Sequence, residues 1–321
     1  MRAKHGTFPV LVEKIEQVTP LIRRFRLVDP SGETLPGFSG GSHIVVLIEA
    51  NGNVLRNPYS LISSPFDTRF YEIAVAYEPN GRGGSRSLHQ NVNEGDKLDI
   101  SYPANQFPLD RLAKKHVLLA GGVGVTPFLA HLKELEVGSV PYEMHYGVRS
   151  KEHFGLADRI PRAATPFVRA YFEDRDGRID FAKALSSQPL GTHVYVCGPK
   201  NMLESALSSA QSFGWPDSHI HFELFEQQAT GVPFEAYFAR SGKTVIVPPE
   251  LSLLEAAEAQ NISIPYLCRG GACGFCETDV LEFDGELIHR DIWLSDEQKI
   301  KCEKFMPCVS RAKCTRLVLN A

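Results

Sequence analysis

Residues 266–278, YLCRGGACGFCET, limit what this chain can fold into more than any other stretch. Cys268, Cys273 and Cys276 lie within nine residues, interleaved with Gly270, Gly271 and Gly274. Thiols crowded on so permissive a backbone point to metal binding or thiol chemistry. Structural zinc sites usually pair two short C-x-x-C-like knuckles, and here only one side is a compact triplet. The spacing C-x4-C-x2-C with a distant fourth cysteine is that of a plant-type 2Fe–2S cluster held by four thiolates. The glycines then let the loop wrap tightly and aim backbone N–H groups at sulfur, stabilising its negative charge. A zinc-containing interaction protein with a degenerate nucleotide fold is the competing reading from another class.

The fourth ligand comes from Cys302, Cys308 or Cys314. Cys308 sits in the apolar FMPCVSR, ahead of an expected strand. Cys302 lies in the charged KIKCEK, expected as a helix face, and Cys314 lies beside the last strand. Cys308 is the expected ligand, and the other two are expected as free thiols. The seven cysteines are odd in number and clustered, which opposes a disulfide framework and points to a reducing cytoplasm. The stretch MRAKHGTFPVLVEKIEQV has no long apolar core, so no signal peptide is expected. No run of about 18 apolar residues marks a membrane span. A formal net charge of −4 gives no case for nucleic-acid binding.

The sequence pattern predicts a multidomain chain in three parts. Residues 1–108 read as short strands (HIVVLIEA, LRNPYSLI, FYEIAVAYE) punctuated by Asn51-Gly52 and Asn80-Gly81, the signature of a small antiparallel β-barrel. Residues 109–226 alternate strands (HVLLA, EMHYGV, HVYVCG) with helical runs, the pattern of an α/β domain on a parallel sheet. Residues 235–321 hold a hairpin turning at Ser241-Gly242. A helix opened by a Ser252/Glu255 capping box, the cysteine loop and further strands follow, an α+β β-grasp ferredoxin.

In HVLLAGGVGVTPFLAHLKEL a strand runs through Gly121, Gly122 and Gly124 into a helix, with Thr126 expected as N-cap and Pro127 at the first helical position. Glycines there let a pyrophosphate approach the backbone at a helix N-terminus. A second strand ends at Cys197-Gly198-Pro199, which a buried cysteine and an ordinary turn would also explain. ETDVLEFDGE carries five acids and no base after the cysteine loop. It either steers a basic partner or is a solvated acidic hairpin.

These motifs resemble the ferredoxin reductase superfamily. With NGRGGS, FPLD, AGGVGVTP, VYVCGP, HFELF, HRD and CVSRAK they resemble, over essentially the whole chain, the phthalate dioxygenase reductase family, with its vanillate demethylase and carnitine monooxygenase reductases. The resemblance implies FMN, NADH and a 2Fe–2S cluster, and a terminal oxygenase as protein partner. It assigns Gly121, Gly122, Gly124, Cys197, Gly198 and Pro199 to NAD. The strand end YGVRSKE offers Arg149, Ser150 and Lys151 to a 2′-phosphate, which leaves NADPH open beside the NADH that the resemblance favours. Thr126 is placed near the flavin N5 and Cys197 near the nicotinamide, the two expected catalytic positions. It assigns Tyr59, Ser60, Ala74, Val75, Ala76, Gly83, Gly84, Ser85 and Phe225 to FMN. The family motif R-x-Y-S is broken here, because Asn57 stands where its arginine would. Arg56 is one residue out of register and so on the opposite face of a strand. Arg86 is therefore expected to supply the charge opposite the FMN phosphate. The same electron chain serving a haem monooxygenase is the alternative acceptor.

Overall fold

The computed structural model describes residues 7–50, 52–225, 231–266, 269–271, 273–291 and 293–321, and of Asn53 only the backbone. The chain divides into two compact units, Met1–Glu78 with Ser85–Phe225, and Pro79–Gly84 with Glu226–Ala321. The stretches expected as separate flavin and nucleotide domains thus pack as one unit. The short piece Pro79–Gly84 groups with the C-terminal part instead.

The first unit opens with β1 (Thr7–Thr19), β2 (Ile22–Val28), β3 (Ser42–Ala50), β4 (Asn53–Ser60), β5 (Tyr71–Ala76), α1 (Gly84–Gln90), β6 (Lys97–Ser101) and β7 (Ala104–Asn105). The strands run in the order β4-β3-β6-β1-β2-β5, with β7 on β3. A bridge between Leu61 and Ile73 joins the two ends and closes the sheet as a barrel. Its filling follows the two-residue period of strands: Val10 and Val12, Phe25 and Leu27, Ile44, Val46 and Ile48 all point inward.

Next come β8 (Lys115–Gly121), α2 (Thr126–Val137), β9 (Tyr142–Val148), β10 (Val168–Phe172), α3 (Phe181–Leu185), β11 (Thr192–Cys197), α4 (Lys200–Ser212) and β12 (Ile220–Glu223). They form a parallel sheet in the order β10-β9-β8-β11-β12. Every residue of β11 is buried, as a parallel strand covered on both faces requires. The strand order reverses between β8 and β11. The crevice outside their carboxyl ends is therefore the topological switch point, where open α/β sheets take their ligands.

Barrel and parallel sheet share one core, in which Ile22, Ile62 and Ala74 join Leu118, Val125, Phe128 and Tyr146. Between them Phe107 meets Tyr195 and Phe128 at ring distances of 5.6 and 5.8 Å. Burying one such ring contributes roughly 1.5–3 kcal/mol. Two ion pairs of opposite sense cross the same junction. Arg24 of β2 reaches Asp158 at 2.7 Å. Arg159 grips Glu72 of β5 through two bonds of 2.8 and 2.9 Å.

The second unit carries β13 (Phe234–Phe238), β14 (Lys243–Val247), α5 (Leu253–Ala259), β15 (Thr278–Ile288), α6 (Asp296–Lys301), β16 (Lys304–Phe305) and β17 (Arg311–Leu319). The order is β14-β13-β17-β15-β16, with β13 and β17 parallel and the other pairs antiparallel. The Ser252/Glu255 capping box opens α5 as expected, and a second, Ser295/Gln298, opens α6. Leu253, Leu254 and Ala257 of α5 pack with Phe238, Phe305 and Leu317 in the core of this unit.

Candidate functional site

At the switch point, Gly121 ends β8 and Cys197 ends β11, and the strands lie side by side in parallel register. The two motifs touch. A methyl added at Gly124 would come within 2.5 Å of the Cys197 carbonyl carbon and 2.7 Å of the Gly198 nitrogen. One at Gly121 would meet Pro199 Cδ at 2.9 Å. These two glycines are thus required by the close approach of the GGVG loop to the CGP turn. Gly122 differs: its φ is +55 and nothing lies within 4 Å of where a side chain would start. It is the glycine of the three that faces open space.

Thr126 is not the N-cap expected from the sequence. A 3-10 turn over Gly122–Val125 precedes α2, so Thr126 is the first helical residue and Val125 the cap, with no side-chain capping bond. The Thr126 hydroxyl instead donates to the Val123 carbonyl at 2.9 Å, and its side chain is buried. Its lone pairs remain as acceptors. Cys197 is completely buried in the shared core, which matches the buried-cysteine reading of CGP. Burial, and then the Glu223 carboxylate, push its thiol well above the ordinary range, so it stays protonated. Glu223 is the register partner of Cys197 on β12 and was not singled out by the sequence. Arg149 follows the end of β9 on the same edge of the sheet and is exposed.

On the barrel, Asn57 donates to the Tyr59 hydroxyl at 3.3 Å, so the two share a face of β4, and Arg56 lies on the other. Ser60 pairs across the sheet with His43. Both are buried, and Ser60 Oγ and His43 Nδ1 have no hydrogen-bond partner among the described residues. Buried polar atoms of this kind are rarely left unsatisfied, so the pair fits a polar ligand edge such as a flavin ring. His43 escaped the sequence reading because a lone histidine in HIVVLIEA carries no motif. Burial pulls its pKa down to about 4, so it is neutral near pH 7. Ala74 and Val75 are buried on β5, with Ala76 at its end. The Val75 carbonyl already takes a 2.9 Å bond from the His89 ring. Gly83, with φ +107, and Gly84 are buried. Ser85 Oγ accepts from the Glu78 amide at 3.2 Å, and Arg86 lies in the first turn of α1. Phe225, expected over the flavin, is 38% exposed.

In the second unit, Cys276 and Cys308 bring their Sγ atoms to 3.2 Å. Both are buried, from positions 32 residues apart in sequence. The separation far exceeds a disulfide bond of about 2.05 Å, and two thiols converging in an apolar core fit ligands of a shared metal. Cys273 is half-buried. Cys268 lies outside the described residues, and among the described residues no three such side chains converge as a complete metal site. The glycine positions are tight here too. Gly271, with φ +74, abuts Asp291 of the HRD segment, and Gly274, with φ +73, abuts Trp293. Cys302 is the left-handed C-cap of α6 rather than on a helix face, and Cys314 lies within β17.

The acidic stretch after the loop is not a bare field. Lys304 pairs with Glu277 at 3.0 Å and Asp279 at 2.7 Å, and Lys313 with Glu286 at 3.5 Å. Asp284 accepts from the Arg316 amide at 2.9 Å. The stretch is part of one long strand, β15, rather than the hairpin expected, and its partly compensated charges oppose the reading of a bare acidic field that steers a basic partner.

A nucleotide crevice and a flavin barrel in one unit, with a cysteine loop on a mixed sheet in the other, define a flavin- and iron–sulfur-dependent electron-transfer reductase. Residues 9–108 match the oxidoreductase FAD-binding domain and 237–313 the 2Fe-2S iron-sulfur cluster binding domain. Residues 101–220 match the N-terminal domain of dimethylamine monooxygenase subunit DmmA-like proteins. The carnitine monooxygenase reductase subunit of Escherichia coli is 42% identical over 98% of both chains. The heme-dependent oxidative N-demethylase beta subunit of Ectopseudomonas mendocina is also 42% identical, over 97% of this chain and 98% of that one. The solved structure of phthalate dioxygenase reductase, a modular structure for electron transfer from pyridine nucleotides to 2Fe–2S, aligns with a TM-score of 0.86. That alignment has 33% identity and covers 98% of each chain. The chain belongs to the phthalate dioxygenase reductase family of oxygenase reductases. Among the described residues, no helix is long and apolar enough to cross a membrane.

Proposed function

We propose that this protein is the cytoplasmic reductase component of a multicomponent oxygenase or demethylase, carrying electrons from NADH through FMN and a 2Fe–2S cluster to its oxygenase. The observation that carries the reading is the buried Cys276–Cys308 pair, 3.2 Å apart, in a chain that also places its glycine loop at a parallel-sheet switch point. When bound, FMN takes up a hydride's electron pair and releases the electrons singly, which a one-electron cluster needs.

The chain's own residues hold and align these groups. Residues 1–108 take FMN, 109–226 take NADH and 235–321 carry the cluster. Asn57, Tyr59, Ser60, Ala74, Val75, Ala76, Gly83, Gly84, Ser85 and Phe225 line the flavin, and Arg86 balances its phosphate. Gly122 admits the pyrophosphate, and Gly121 and Gly124 hold the loop against Cys197, Gly198 and Pro199. Arg149 faces the nucleotide's outer end. Thr126, whose proton is committed to Val123, offers the flavin an acceptor. Cys197 is a neutral wall rather than a nucleophile. Cys268, Cys273, Cys276 and Cys308 are the cluster ligands.

Mass analysis of the released flavin, with reduction rates for NADH and NADPH, tests the cofactor assignment. FAD in place of FMN, or a preference for NADPH, would overturn it. A haem acceptor is the second reading, supported by the 42% identity to a heme-dependent oxidative N-demethylase subunit. Turnover with a Rieske-type oxygenase and with a haem N-demethylase component separates the two.

A further inference from the structure

The cluster loop contains a residue whose backbone and side chain pull in opposite directions. Arg269 has φ +53, in the left-handed region that Gly271 and Gly274 also adopt in this loop. Glycine adopts that region freely and arginine does not. A glycine at 269 would suit the backbone, so the side chain is what the position retains. That side chain is not spread over the surface: Arg269 is 7% exposed. Its guanidinium forms an ion pair with the Glu258 carboxylate of α5 and lies 3.9 Å above the ring of Tyr266. A buried charge pair is a costly way merely to stiffen a loop, because apolar packing does that as well. What it adds is a positive charge, one peptide bond from Cys268, with a negative charge to offset it.

We propose that Arg269 and Glu258 act on the reduction potential of the cluster held by the adjoining cysteine loop in opposite directions and nearly balance, so that neither charge alone is left to shift it. The guanidinium favours the extra electron that the reduced cluster holds. The carboxylate tempers that preference, so the cluster accepts an electron from the flavin and still gives it up. Local charge is one of the levers that set iron–sulfur potentials. The proposal rests on the cluster assignment made above, and the test separates the two.

The holoprotein is compared with Glu258→Gln, Arg269→Gln, Arg269→Lys and the Glu258→Gln/Arg269→Gln double variant. Iron and sulfide content and the electron paramagnetic resonance signal of the dithionite-reduced protein are measured first. Cluster potentials are then read by redox titration. At an effective dielectric of about 20, one uncompensated charge near the cluster shifts its electron affinity on the order of tenfold. That is about 59 mV for a one-electron couple. Glu258→Gln is expected to raise the potential by that amount and Arg269→Gln to lower it. Arg269→Lys, which keeps the charge, and the double variant are expected near the wild type.

A purely structural latch would instead lower cluster retention or melting temperature in every variant, with no opposed shifts. Loaded Glu258→Gln and Arg269→Gln proteins whose potentials stay within about twofold in equilibrium of the wild type, or move in one direction together, overturn the proposal. So does failure of all the variants to load. Absence of iron and sulfide from the wild type would sink the cluster assignment itself.

Discussion

Gly124 and Gly122 stand two residues apart and are glycines for different reasons, which makes them a direct probe of the nicotinamide site. A methyl at Gly124 would lie 2.5 Å from the Cys197 carbonyl carbon. Ordinary carbon contacts begin near 3.5 Å, so the loop and the CGP turn would have to part by about 1 Å. Both partners are backbone, so no flexible side chain can swing aside. Overpacking of this kind costs about 1–3 kcal/mol of stability. A misplacement of about 1 Å between reacting groups costs on the order of a hundredfold in rate. Gly124→Ala is therefore expected to cut the limiting rate of flavin reduction by NADH about a hundredfold, with a modest change in the apparent Kd. Gly122→Ala meets no atom of the protein but must hold φ +55, at a cost of about 1 kcal/mol. Its methyl would occupy the open space proposed for the pyrophosphate, so Gly122→Ala is expected to weaken NADH binding about tenfold and leave the limiting rate within about threefold. The assay is anaerobic stopped flow over a range of NADH concentrations, with dithionite reduction as the control for intact cofactors. If Gly124→Ala keeps a limiting rate within about threefold of the wild type, the fitting of loop to turn is not what aligns the cofactors.

Three further outcomes follow from the same geometry. Arg86→Ala should lose flavin on gel filtration far more readily than Arg56→Ala; equal or reversed losses would remove Arg86 from the phosphate site. Arg159→Ala leaves the buried Glu72 carboxylate without its two-bond partner and should destabilise the first unit by about 3 kcal/mol, read by urea unfolding, while Glu72→Gln/Arg159→Gln costs less. Burial is the main cause that lowers the pKa of His43, His116, His131 and His221 to about 4, against about 6.5 unfolded. Their neutral forms contribute stability that is fully present above pH 6.5 and is lost as pH falls toward 4. Unfolding near pH 5 should take up between about three and four protons, and a melting temperature flat between pH 7 and 4.5 would contradict this.

What the sequence disclosed and what it concealed divide along the range of the interactions. Local patterns were legible: the Ser252/Glu255 box, the Ser241-Gly242 hairpin, the strands HVLLA and HVYVCG, and the cysteine spacing. Each depends on residues within a turn or two of one another. The expected Thr126 cap is off by one residue, because a 3-10 segment ahead of a helix leaves no mark in a glycine run. The role of Gly124 was only half visible, since its neighbour Cys197 lies on another strand. The acidic stretch looked unbalanced until the fold brought Lys304 and Lys313 beside it. The Arg24–Asp158 pair joins residues 134 apart, and Arg159–Glu72 residues 87 apart, so neither could be read from spacing. His43 and Ser60 show the same limit, because cross-strand register makes them one polar cradle.

Electrons from NADH are expected to come to rest on a cluster held by the cysteine loop and Cys308. Anaerobic addition of NADH to the reconstituted protein, followed by electron paramagnetic resonance, measures this directly. A reduced 2Fe–2S signal is expected, absent from Cys308→Ser and retained in Cys302→Ser and Cys314→Ser. A protein that stays oxidised under excess NADH, or a signal that survives the loss of Cys308, would contradict the account.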